Sequence, residues 1–344
     1  MSVVGADFDP FADSATELVG FPALLEPGGT EPALSPETLD NLRAARSDAT
    51  KRAYRSDWRV YKAWCQARGV PPIPASEVSL ADFLSELAAA GRKVTSLNRM
   101  VASIRFAHRI ANVAIDTQTP LLREVRRGIR QRRGVKRRKV NAIVVAELHR
   151  ILDEIPADLR GLRDRALLLL GFAGAFRRSE LAYLDVEDVG LANEGLRIEL
   201  RKSKTDQAGR GTMVGIPYGG NVDTCPVRAV EAWLDAAGIT TGPLFRGVAP
   251  WPDRESGVFQ LLETALDGKS IARIVKRRAG VVGIEATAVS GHSLRRGFIT
   301  QAVRLGLPDR TIMRQSRHRS RASMDEYVAE EGAFVDNAAE RIGL

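Results

Sequence analysis

Apolar positions recur along most of this chain at the spacing of helices, and along one stretch at the spacing of strands. Tyr54, Trp58, Tyr61 and Cys65 fall at i, i+4, i+7 and i+11. That is the stripe of an amphipathic helix beginning near Asp48 or Thr50 and ended by Gly69 and three prolines. Its other face offers Lys51, Arg52, Arg55 and Arg59. Ser79 and Asp82 make a capping-box pattern ahead of Phe83, Leu84 and Leu87, and Gly91 closes that helix. Thr95 or Ser96 caps a third, with Leu97, Met100, Ile104, Ala107 and Ala111 inside. Pro120 opens a fourth, with Leu121, Val125 and Ile129 on one face. No strand pattern interrupts the four, so residues 48–133 predict a small all-α domain.

A second domain is expected from residue 143. Helical patterns cover 144–154 and 160–173, and then the period changes. "LRIEL" alternates, "TMVGIP" follows a Gly-rich turn, and Asn193-Glu194-Gly195 is a turn signal, so a small antiparallel sheet of two or three strands is predicted. Helical patterns resume at 226–237, 271–279, 292–305 and 321–330. The expected fold is therefore mainly α, an α-helical domain followed by an α+β domain. After Tyr327, Gly332 breaks the chain; Phe334, Val335, Ala338 and Ile342 then return at helical spacing, giving a short amphipathic helix over 332–344.

Charge changes this picture at both ends. Residues 1–48 hold nine acids and two bases, and the whole chain carries +9, so the remainder carries +16. The acidic, Gly- and Pro-rich segment 1–47 is expected to lack regular structure. A folded part so basic points to a polyanion, above all nucleic acid. Ten Lys or Arg and one acid lie between Arg123 and Lys139, and the end of that run, 134–142, has the character of a DNA-tracking linker. Two further faces suit base reading in a major groove: Ser96, Arg99 and Ser103 on one helix, and Arg273, Lys276 and Arg277 on another, opposite Ile271, Ile274 and Val275. No apolar run is long enough for a membrane span, and no secretory signal is visible. With two cysteines at no metal-type spacing, a cytoplasmic protein with reduced thiols is expected.

Several familiar chemistries fail on spacing. "GKS" at 268–270 has Glu263 where a phosphate loop needs glycine. "GHSLRRG" has Arg295 where a nucleophile elbow needs its second glycine. Asp185, Glu187 and Asp188 form one acidic group without a second carboxylate cluster, so neither metal nor other cofactor is expected.

Metal-free attack on a phosphodiester needs cations for the non-bridging oxygens, an acid for the leaving 5′ oxygen and an oxygen nucleophile. The second domain supplies that set in order. "GAFRRSEL" carries Arg177 at a helix start with Glu180 three residues on. "KSKTD" carries Lys204 at a strand end, with Lys202 as a close rival. "GHSLRRGF" sets His292 and Arg295 at i, i+3, and "HRSRASMDEY" sets His318 nine residues before Tyr327.

This ordered set resembles the catalytic domain of tyrosine recombinases, the phage integrase family. "YKAWCQARG" followed by "LADFLSELAAAGRKVTSLNRM" is similar to the SAM-like core-binding domain of Cre-type members. The resemblance implies a site-specific enzyme that cuts and rejoins double-stranded DNA through a 3′-phosphotyrosine and a Holliday junction, working as a homotetramer on two DNA sites. It implies Tyr327 as nucleophile, Arg177, Arg295 and His318 as phosphate holders, and Lys204 as acid. His292 would assist proton transfer or contact the phosphate, and Glu180 would support Arg177. The helix over 332–344 would dock on a neighbouring subunit. Two other readings share these residues: a type IB topoisomerase-like or hairpin-forming relative, and a DNA-binding accessory protein with a decayed site. One departure stands out. The family usually has glycine directly before the His or Trp position, and here that residue is Arg317.

Overall fold

The computed structural model describes residues 35–133, 141–201, 211–249, 251–318 and 320–321. Lys204, Tyr327, the expected helix at 321–330 beyond its first residue, the tail 332–344 and linker residues 134–140 lie outside them. The chain divides into two compact units, Met1–Arg137 and Arg138–Leu344.

The regular structure described in the first unit is all helical: α1 (Pro36–Ala44), α2 (Asp48–Arg68), α3 (Glu77–Ala89), α4 (Val94–Ile110) and α5 (Pro120–Arg133). The first of these falls in the segment expected to lack regular structure. Its start signal is local: Ser35 accepts a hydrogen bond from the Thr38 amide, Pro36 takes the first helical position, and Glu37 follows in the first turn. The other starts also differ slightly from expectation. Ser76, not Ser79, caps α3 by accepting from the Ser79 amide. Helix α4 begins at Val94 with no side-chain cap. Trp58, Tyr61 and Cys65 of α2 pack with Phe83 and Leu84 of α3 and Met100 and Ile104 of α4 in one core.

Two buried polar side chains of this unit, Asp57 and Ser103, are paired across helices. Asp57 is buried on α2 and takes both Arg99 Nε (2.7 Å) and Nη2 (2.9 Å). Ser103 is fully buried and donates to the Tyr54 carbonyl at 2.8 Å. The expectation that Ser103 reads DNA is therefore corrected: its position on α4 turns inward, and its hydroxyl ties α4 to α2.

In the second unit, α6 (Val145–Asp153) and α7 (Leu159–Ala173) lead to a short helix α8 (Arg178–Ala182). Strands β1 (Val189–Ala192), β2 (Gly195–Leu200) and β3 (Thr212–Pro217) form an antiparallel sheet in the order β1-β2-β3, with Val189 opposite Ile198 and Ile198 opposite Val214. Leu196, Ile198 and Leu200 face the core while Arg197 and Glu199 face outward, the period-two pattern read from "LRIEL". Then come α9 (Pro226–Ala237), β4 (Arg246–Val248), β5 (Leu261–Ala265), α10 (Gly268–Val281), α11 (Ser293–Arg304) and α12 (Asp309–Ser316). The β4–β5 pair and α12 were not expected: both strands are short, and α12 has only Ile312 and Ser316 buried. Helix α7 is the centre of this unit, with Ala166 to Leu170 all buried, and it packs against α9 and α11. No described helix is long and apolar enough to cross a membrane.

A second buried carboxylate joins α7 to α10. Asp164 is fully buried and accepts from Arg163 (2.7 Å), Arg277 (2.8 Å) and Arg278 (2.8 Å). Removing one partner of a buried ion pair leaves the others uncompensated, and here the survivors would be guanidiniums. Asp164→Ala is therefore expected to destabilise the second unit by about 3–5 kcal/mol. Urea unfolding monitored on that unit checks this, and an unchanged midpoint would contradict it.

Candidate active site

The site is assembled at the ends of two helices. Helix α7 finishes in a turn where the Ala175 amide bonds to the Phe172 carbonyl (2.9 Å) and the Phe176 amide to the Gly171 carbonyl (3.1 Å), with Ala175 at φ +45°. This is a Schellman-type stop with alanine in the left-handed position usually given to glycine. A Cβ at Gly174 would meet the Phe176 ring at 2.1 Å, so only glycine lets that ring tuck under the turn. The turn delivers Arg177 to the N-cap position of α8.

Helix α12 ends in the same way. The His318 amide bonds to the Met313 carbonyl at 3.2 Å, and Arg317 stands at φ +57°. For a residue with a Cβ, the left-handed conformation costs roughly 1–2 kcal/mol. It aims His318 back toward α11, where Arg295 is buried.

The side chains then converge. Arg295 Nη2 meets His318 Nε2 at 3.2 Å, and Arg295 Nη1 donates to the Ala175 carbonyl at 2.8 Å. A guanidinium only donates, so His318 Nε2 accepts. The neutral ring then carries its proton on Nδ1, which donates to Ser316 Oγ at 2.8 Å. Glu180, 2% exposed, accepts from the Arg177 amide (2.9 Å), Arg177 Nη1 (2.5 Å) and Arg317 Nη2 (2.9 Å). Arg317 further donates to the carbonyls of Gly174 (2.9 Å), Gln315 (2.8 Å) and Ala175 (3.1 Å), and stacks 4.9 Å from the Phe176 ring centre.

These charges set the protonation states. Burial works to raise the Glu180 pKa, but the Arg317 charge and the Arg177 amide and guanidinium outweigh it and hold the carboxyl below its ordinary value. His318 is pushed down to about 4, first by burial and then by the positive charges of Arg295, Arg177 and Arg317. At neutral pH three guanidiniums and one carboxylate thus surround a neutral imidazole. That excess of two positive charges, presented as forks, suits a phosphodiester and the further charge it gathers during displacement.

The other predicted residues lie as follows. His292 is exposed at the N-cap of α11, so it and Arg295 differ sharply in burial despite their i, i+3 spacing. Arg52 and Arg59 are exposed on α2, while Lys51 and Arg55 are half-buried. Lys51 pairs with Asp48 at 3.5 Å. Ser96 is half-buried, and Arg99 is exposed but held by Asp57. On α10, Arg273 is exposed and bonded to Ser270 Oγ at 2.8 Å, Lys276 is half-buried, and Arg277 is tied to Asp164. Asp185 and Asp188 are engaged by Arg201, and Glu187 accepts from the Gly242 amide. Among the described residues no group of three or more His, Cys, Asp or Glu is placed to hold a metal ion. The sequence reading missed the partnership of Arg317 with Glu180. Its one signal was an arginine where glycine is usual.

Residues 142–332 match the model of the phage integrase family, and residues 37–112 match that of the phage integrase N-terminal SAM-like domain. An integrase/recombinase XerD homolog from Selenomonas ruminantium is 36% identical over 313 residues, covering 90% of this chain and 89% of the relative. The Cre recombinase of Escherichia phage P1 is 25% identical over 303 residues, covering 82% and 85%. Among solved structures, XerH bound to a palindromic difH substrate in a post-cleavage complex aligns with a TM-score of 0.61 at 16% identity, covering 88% of this chain and 83% of that one. A lambda integrase dimer bound to a COC′ core site aligns at 0.55 and 17%, covering 88% and 96%. At those identities the structural likeness speaks for the fold.

These protonation states can be measured directly. In the DNA-free protein the His318 ring should titrate near pH 4, seen in its imidazole NMR signals. Because this pKa lies below the unfolded value of about 6.5, the unfolded chain binds the extra proton first. Stability owed to the neutral ring is then fully present above about pH 6.5 and drains away as pH falls through about 4. A titration midpoint near 6.5 would contradict the packing of His318 against Arg295.

Proposed function

Since this chain belongs to the phage integrase family of tyrosine recombinases, enzymes that break and rejoin DNA, we propose that it recombines double-stranded DNA at a specific site through a covalent 3′-phosphotyrosine at Tyr327. What supports this reading is the convergence of Arg177, Arg295 and His318, with a net positive charge, on one point of the second unit. The Tyr327 oxygen attacks a backbone phosphorus and the bond to the 5′ oxygen breaks. Lys204 gives that oxygen its proton. Arg177 and Arg295 stabilise the charge on the non-bridging oxygens, as preorganised donors do best in a site that needs no rearrangement. His318 and His292 complete the set: to hold a phosphate oxygen, His318 gives up its bond from Arg295 and carries its proton on Nε2, and His292 acts on the phosphate or the proton. A 5′-hydroxyl from the partner strand then attacks the phosphotyrosine and releases the phenol. The ester conserves the energy of the broken bond, so the cycle draws on neither ATP nor a metal.

Two rounds of such exchange pass through a Holliday junction and require four subunits on two DNA sites. A tail helix over 332–344 that docks on the next subunit would close the ring, since a head-to-tail contact repeated by rotation closes on itself. The basic faces on α2, α4 and α10, with the linker 134–142, supply the DNA contacts, and the protein works in the cytoplasm.

The test uses a nicked duplex carrying a site selected by this protein from a randomised pool. The unaltered protein should become covalently attached to it, seen as a slow band on a denaturing gel. Tyr327→Phe should bind the same duplex with unchanged affinity and give no such band, because the phenol oxygen is the nucleophile and adds little to binding. Covalent attachment by the Phe variant would overturn the assignment.

A further inference from the structure

We infer that Arg317 is a positioning residue for phosphate displacement, its buried guanidinium locking the two catalytic arginines into one frame. The inference rests on the recombinase reading above and concerns a residue outside the set that the family's motif supplies.

Three observations carry it. First, Arg317 touches both arginines through a shared acceptor. It reaches Arg177 through Glu180, which takes Arg317 Nη2 at 2.9 Å and Arg177 Nη1 on its other oxygen. It reaches Arg295 through the Ala175 carbonyl, which takes Arg317 Nη2 at 3.1 Å and Arg295 Nη1 at 2.8 Å. Second, the guanidinium spans the two strained turns of the site. It bonds the Gly174 and Ala175 carbonyls of one turn while its own backbone forms the other, at φ +57°. Third, the side chain is 6% exposed, so it faces inward and not toward a ligand in solvent. A cation buried this deeply is tolerated because Glu180 and three carbonyls engage both terminal nitrogens, while its Nε is buried without a hydrogen-bond partner. Holding a reactive group within about 0.5 Å of its working position demands such support from behind.

The arginine is also expensive at this position. Glycine would adopt the left-handed turn without strain. The side chain must therefore contribute something that glycine does not, and the contacts above say what: a rigid link between Arg177, Arg295 and the His318 turn.

That contrast supplies the experiment. Arg317→Gly keeps the turn and removes the fork, Arg317→Ala removes the fork and keeps the strain, and Arg317→Lys keeps the charge without a fork. Each is assayed for affinity and for single-turnover covalent attachment on the selected nicked duplex. With positioning, Gly and Ala both slow attachment by about 10²-fold, the scale of a lost preorganised donor, at little change in affinity. Lys recovers part of the rate. In the DNA-free Gly variant the His318 titration midpoint moves up toward its ordinary value, because one of the three cations facing it, beside Arg177 and Arg295, has gone.

A Gly variant that attaches at the unaltered rate with His318 titrating as before would overturn the inference. So would equal losses in affinity and rate together with a lower unfolding midpoint, which would mark Arg317 as a purely structural prop. Failure of the unaltered protein to attach at all would instead sink the recombinase reading, which keeps the two outcomes apart.

Discussion

One buried carboxylate makes this site possible. Without Glu180, the guanidiniums of Arg177, Arg295 and Arg317 would be gathered at low exposure with a histidine and nothing to oppose their repulsion. Burying a charge costs several kcal/mol unless it is paired and hydrogen-bonded. Glu180 accepts one bond from a backbone amide and one from each of two arginines, so its own burial is compensated while it neutralises one of the three cations. The site that remains is positive enough to attract a phosphodiester and rigid enough to hold it. The role proposed for the acid is therefore to organise cations rather than to move protons.

The backbone does the complementary work. Arg177 and His318 each follow a helix stop built on a left-handed residue that is not glycine, Ala175 in one case and Arg317 in the other. Such strain persists where surrounding contacts over-determine it, and it clusters at functional sites. Here the two strained turns are tied to each other by the Arg317 side chain, and Gln315 adds a bond from its amide to the Ala173 carbonyl at 3.0 Å and to Gly215 of β3 at 3.2 Å. Helix α7, buried along its length, is thus coupled through its last turn to α8, α12 and the sheet. The same logic recurs at Asp164, where one carboxylate joins α7 to the basic helix α10.

Much of this was legible beforehand. The apolar stripe of α2, the alternation of β2 and the start of α9 at Pro226 follow directly from spacing, because burial of one face dictates them. The pairing of Glu180 with Arg177 is an i, i+3 relation within one turn, so it too can be read from the sequence. Partners brought together by the fold cannot be. Separations of 42 positions from Asp57 to Arg99, 113 from Asp164 to Arg277 and 137 from Glu180 to Arg317 carry no periodicity that announces the contact. Ser103 shows the converse error. A small polar residue on a helix reads as outward-facing until a carbonyl on the neighbouring helix claims its hydroxyl. Helix α1 was missed for a third reason: its Ser-Pro-Glu start is clear, but its apolar stripe is too weak to stand out from an acidic segment.

The pH dependence of covalent attachment by Glu180→Gln on the selected nicked duplex tests most directly whether the carboxylate organises cations or carries protons. Glutamine keeps the shape and accepts at one oxygen but removes the charge and the second acceptor. The account predicts a slower rate at every pH, with both limbs of the profile in place. Loss of either limb would make Glu180 a proton carrier and contradict it.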